Sequence, residues 1–197
     1  MTDRSLIRAL AAVLFITVAS QLFYITVVSG SPIEVLRPIT WFTELLAFSA
    51  SAVIALALGS RHPAQAGIWA TLAIAGLVNL IQVGMGLSMF GPAMDAAESA
   101  PELFATVLAG AFFFYFLAKL LLGVAGIFLG VGAAREGGAL ATGLGSLTAI
   151  AGLASFALSL LAMIDAESWR FAAGAAGTAA TALVGLLLIL VPPASAR

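Results

Sequence analysis

Along most of the chain, apolar residues run on without the alternation or striping that a water-facing strand or helix would show. Six such runs stand out, near residues 6–28, 40–58, 66–90, 104–132, 139–164 and 169–191. A bilayer core about 30 Å thick needs about 20 apolar residues to cross it, so each run predicts a membrane-spanning helix. The short segments between the runs carry nearly all the charges. By this division they also carry all seven prolines: Pro32, Pro38, Pro63, Pro92, Pro101, Pro192 and Pro193. Proline lacks the N–H that a helix interior needs, so these positions are expected to mark the helix boundaries.

A β-barrel would alternate apolar and polar residues over strands of about ten. These runs are continuous and rich in Ala, Leu and Gly, so the expected fold is an all-α integral membrane protein. It is a single domain over residues 1–197, a bundle of six transmembrane helices. In an alternative reading the first run is a cleaved signal peptide. Its start is basic (Arg4, Arg8), and residues 17–20 are small or polar. Its apolar run continues through Phe23, Tyr24 and Val28, however, which is long for a signal sequence.

Composition narrows the class further. The chain is 62 % hydrophobic and 9 % charged, where soluble domains are about half apolar and a quarter charged. With a mean hydropathy of +1.16, a soluble globular protein, a disordered chain and a nucleic-acid binder are all excluded. The net charge of −1 suggests no anionic partner. Cysteine is absent, which removes disulfides, thiolate nucleophiles and Cys-based metal sites. The single histidine, His62, excludes bis-histidine haem ligation within one chain; it reads as a solvated loop residue. No metal site and no cofactor are expected.

Orientation follows from the basic residues of the loops. With the N-terminus inside, the inner segments hold Arg4, Arg8, Arg61, Arg135 and Arg197, and the outer ones hold Arg37 and Arg170. Five against two predicts that both termini are cytoplasmic, in the inner (plasma) membrane if the Ala/Gly-rich chain is bacterial. Trp41, Trp69 and Trp169 fall at helix starts and, with Tyr24, are expected to anchor at the headgroups. A faint internal repeat links residues 94–99 with 163–168, each following a helical hairpin.

Candidate chemistry is sparse. Apart from Arg8 and Arg170 at the span ends, Glu44 and Lys119 are the only formally charged side chains inside the spans. A central charge costs about 3 kcal/mol on insertion scales, so such groups face the bundle interior and find partners. Counting along the helices places Lys119 near mid-depth and Glu44 roughly 6–8 Å nearer the outer surface. Gln21, Asn79, Gln82 and Tyr115 fall in the same slab, on helices one, three and four. These six residues are the candidate ligand-binding set: a polar pocket between helices one to four, with Glu44 and Lys119 as an ion pair or as ligand anchors. Mutual hydrogen bonding that glues the bundle, and Glu44 reaching to the headgroups, are the competing readings.

Small residues mark close helix contacts. Gly126 and Gly130 lie on helix four. Ala141, Gly145, Ala149 and Gly152 stripe helix five, and Ala173, Gly177, Thr181 and Gly185 recur on helix six. They serve packing within the chain or a face for a homo-oligomer or a membrane partner subunit. Gly137 and Gly138 read as a turn, and the Gly143–Gly145 stretch lacks the context of a phosphate loop. No Ser–His–Asp set or paired aspartates occur, so no enzyme is expected. The function expected is binding or transport of a small molecule; the alternative is a non-catalytic accessory subunit of a larger membrane complex.

Overall fold

The computed structural model describes residues 2–192. Among these residues it is all-helical, with six helices long and apolar enough to cross a membrane. They are α1 (Asp3–Phe23), α2 (Leu36–Arg61), α3 (Ala66–Asp95), α4 (Pro101–Glu136), α5 (Ala139–Ile164) and α6 (Ala166–Leu190). The six runs of the sequence thus become six helices. Pro193 and Arg197 lie outside the described residues.

The helices outlast the apolar runs. α4 has 36 residues, roughly 54 Å at 1.5 Å per residue, well beyond the hydrocarbon thickness. Besides Pro101, which opens α4 at its first position, two prolines therefore fall inside helices rather than between them. Pro38 occupies the first turn of α2, where backbone N–H groups have no intrahelical partner to lose. Pro92 lies within α3 and withholds a hydrogen bond from the carbonyl of residue 88, yet α3 continues to Asp95. Hydropathy reports where hydrocarbon ends, not where helical hydrogen bonding ends.

The connections are short and chemically explicit. Thr2 caps α1 by accepting from the Ser5 amide at 3.2 Å. Gly137 and Gly138 join α4 to α5 with φ of 84° and 85°, left-handed conformations that only glycine adopts cheaply. A single residue, Asp165, links α5 to α6 and caps the latter by accepting from the Ser168 amide at 3.1 Å. The Ser168 hydroxyl, and after it the Ser168 amide, holds the Asp165 carboxyl below the usual aspartate range. At the far end of α1 the chain widens into a π-helical segment, Tyr24–Val28.

Helices α1, α2, α3, α4 and α6 form a ring of neighbours, and α5 packs outside it against α4 and α6. The α4–α5 seam is closest. A Cβ on Gly123 would sit 2.6 Å from the Gly152 carbonyl oxygen, and one on Gly145 would sit 2.6 Å from the Gly130 carbonyl oxygen. Backbones therefore meet there without side chains between them.

Toward the termini the ring is filled by leucine, isoleucine and one tryptophan. Ile7, Leu10, Leu58 and Trp69 are each no more than 1 % exposed. Trp69 is thus a core residue rather than a headgroup anchor, its ring enclosed by neighbouring helices. His62 also departs from expectation. Its side chain is largely buried, with Nε2 3.2 Å from Asp3, whose other oxygen meets Arg61 at 2.9 Å. This cluster ties the start of α1 to the end of α2.

Candidate functional site

The polar residues of the slab meet where the apolar filling stops. Gln21 of α1 is the centre. Its amide nitrogen donates to the Tyr115 hydroxyl oxygen of α4. Its Oε1 accepts from Lys119 Nζ at 2.8 Å and from the Thr178 hydroxyl of α6 at 2.8 Å. Thr178 shares its hydrogen with the Gly174 carbonyl one turn back. One glutamine thereby links three helices. Lys119 is only 7 % exposed, and its ammonium also lies 5.3 Å from the centroid of the Tyr115 ring, within cation–π range.

The glycines of α6 make room for this arrangement. A Cβ at Gly174 would press on the Tyr115 hydroxyl at 3.2 Å, and one at Gly177 would meet the Lys119 stem at 2.5 Å. The backbone of α4 is held from the other side, where Ser155 of α5 donates to the Lys119 carbonyl at 2.8 Å. Farther along α6, Gly185 lies against the Phe15 ring. The helix-six stripe is therefore covered by its own chain.

Glu44 and Lys119 make no direct ion pair. Glu44 is half-buried and accepts from Ser20 of α1 at 3.2 Å. Beyond Glu44, away from the termini, Tyr24, Trp41, Phe90 and Phe104 make a ladder of ring contacts across four segments, with centroids 5.6–6.2 Å apart.

On the terminal side of Lys119 lies an axial cavity of about 20 Å³. All five ring helices line it, and its polar residues are Thr17, Ser51, Asn79, Lys119 and Thr181. Leu10, Leu14, Leu72 and Leu122 also line it, bordering the apolar core. Asn79 is 5 % exposed and lines this cavity without a side-chain hydrogen bond to the described residues, but its amide atoms are not fully enclosed. The fully enclosed side-chain polar atoms that make no hydrogen bond among the described residues are His62 Nε2, Trp69 Nε1 and Ser159 Oγ. The donors and acceptor of Asn79 are therefore available to an occupant of the cavity.

Of the six residues read from the sequence, Gln21, Tyr115 and Lys119 are in mutual contact, and Asn79 shares the cavity with Lys119. Glu44 stands one hydrogen bond away on Ser20. Gln82 is half-buried and makes no hydrogen bond. Thr178, Ser20 and the cavity hydroxyls were not singled out from the sequence. They are common residues in a chain like this, and only their angular position distinguishes them. No group of three or more His, Cys, Asp or Glu that could hold a metal occurs among the described residues. No protein-family model, curated protein or solved structure matches the chain.

Proposed function

We propose that the chain is a non-enzymatic, multi-pass membrane protein that binds a small polar solute at the axial site of Gln21, Asn79, Tyr115, Lys119 and Thr178, and carries it across the bilayer. The observation behind this reading is Asn79, which makes no side-chain hydrogen bond and lines a cavity that the buried Lys119 also lines. Solute pockets typically span about 300–1,000 Å³, so a cavity of about 20 Å³ is a closed conformation. A larger solute enters only when the ring opens. The accessory-subunit reading draws no support from the small-residue stripe of α6, because Phe15 and Lys119 of the same chain already cover it.

On this reading both termini are cytoplasmic, which the basic-residue count of the loops supports, and the membrane is a bacterial inner membrane, in keeping with the Ala/Gly-rich composition. The site then lies toward the outer leaflet, with Glu44 and the aromatic ladder on its outward side.

The chain's lack of cysteine makes the test direct. Asn79→Cys, in membrane vesicles, is expected to react with a small water-soluble thiol reagent. If it reacts only after denaturation in SDS, the interior is sealed and the binding reading fails. Asp165→Cys should be labelled from outside intact cells and Ser5→Cys should not; the reverse pattern inverts the topology.

A further inference from the structure

We propose that the axial cavity is a specific water site, in which one water molecule bridges the Lys119 ammonium to the Asn79 amide, and that this water marks the seat of a hydroxyl group on the solute. The inference rests on the binding reading above and names the chemistry of that site. Size comes first. A cavity needs roughly 10–15 Å³ to hold a water, together with two to four polar partners; this one offers about 20 Å³ and five polar residues.

The balance of donors and acceptors decides the occupant. Thr17 donates its hydroxyl hydrogen to the Leu14 carbonyl, Ser51 to that of Phe48, and Thr181 to that of Gly177. Toward the cavity these three residues can therefore offer only oxygen lone pairs. Lys119 has used one of three N–H donors on Gln21. Asn79 brings two donors and an acceptor, all unengaged. The occupant must accept from Lys119 or Asn79 and donate to oxygen at the same time. A hydroxyl does both. A bare anion would face the hydroxyl lone pairs with nothing to donate. A metal cation would face an ammonium.

Titratable neighbours do not change this balance. Around Lys119 they are Glu44 of α2, held by Ser20, and Tyr115 of α4. From α1, α3, α5 and α6 come Gln21, Asn79, Ser155 and Thr178, none of which titrates. The water joins α3 to the hub that already ties α1, α4 and α6, so all the ring helices except α2 share one hydrogen-bonded network.

The test is water–protein magnetisation transfer by NMR on the isotope-labelled full chain in nanodiscs, read at the Asn79 side-chain amide. A long-lived water cross-peak is expected there, and Lys119→Met should weaken it at least tenfold by removing one of the two anchors. Absence of the cross-peak in the wild-type chain overturns the proposal, and so does a cross-peak that Lys119→Met leaves unchanged. A shift of the Asn79 amide on replacing chloride with bromide identifies a halide instead and also overturns it. Thiol accessibility at position 79 is measured separately. Reactivity there without a bound water leaves the binding reading standing and removes only the water site.

Discussion

Toward the termini, the axis of the bundle is filled by Leu10, Leu14, Leu58, Trp69 and Leu72. About two turns further along α1 and α3, the same axis holds Gln21 and Asn79, joined by Tyr115, Lys119 and Thr178. The first region is closed, with Leu10, Leu58 and Trp69 each 0 % exposed. The second is only partly closed: Gln21, Tyr115, Thr178 and Glu44 are half-buried. In lipid, apolar side chains gain nothing by leaving the hydrocarbon, so helices associate through close packing and hydrogen bonds. Leucine contacts fill space, but shape alone tolerates some sliding. The Gln21 hub fixes the axial position of α1 against α4 and α6. The two regions thus divide the tasks: one fills, the other sets the register.

That division is open to attack from both sides. The largest effect is expected from Trp69→Ala, which removes a fully enclosed ring and should cost about 3–5 kcal/mol in reversible unfolding in detergent. Thiol reactivity at Asn79→Cys should be unchanged in that background; a large change would mean that the two regions are one unit. Gln21→Leu comes next, at about 2–3 kcal/mol, because it strands the Lys119 ammonium without an acceptor. Lys119→Met removes the charge itself and should cost less, and the double variant should recover part of the Gln21→Leu loss. Strict additivity would show that the hub is not coupled.

Gly177→Ala drives a methyl group into the Lys119 stem and is expected to cost about 1–2 kcal/mol, whereas Gly132→Ala, which has open space, should be neutral by the same thermal assay. Glu44→Gln should change stability by no more than about 0.5–1 kcal/mol, since it weakens one hydrogen bond of a half-buried group. A greater loss would place Glu44 inside the hub. The smallest effect concerns pH. Asp165 has its folded-state pKa depressed by the Ser168 contacts, so its share of stability is present above the ordinary aspartate pKa. That share is lost as pH falls through the lower folded value. Melting curves of Asp165→Asn and the wild type should converge below about pH 4 and differ at neutral pH.

The six spans were legible because hydrocarbon thickness imposes a length that composition must meet. The helix ends were not, since α3 and α4 run on past the apolar stretch, through Pro92 in one case. Depth was legible for the site as well: counting residues placed Gln21, Tyr115, Lys119 and Asn79 in one slab, and the structure brings them to one axis. Angle was not. Gln82 lies at a suitable depth yet makes no hydrogen bond, while Thr178, one of many threonines, completes the hub. Trp69 looked like an anchor because position along a helix says nothing about which way the indole points.

The glycine seam between α4 and α5 carries a mechanical implication. Backbones in direct contact at Gly123–Gly152 and Gly130–Gly145, with Ser155 bonded to the Lys119 carbonyl, leave no compliant side chains to absorb relative motion. The pair behaves as a stator. α1 meets its neighbours through longer groups such as Phe15 and Gln21, which can rotate, so the freedom to open the ring lies with α1. Under the binding function proposed above, the expected opening motion is a swing of the first helix about the α4–α5 post, with the Gln21–Lys119 hydrogen bond broken first.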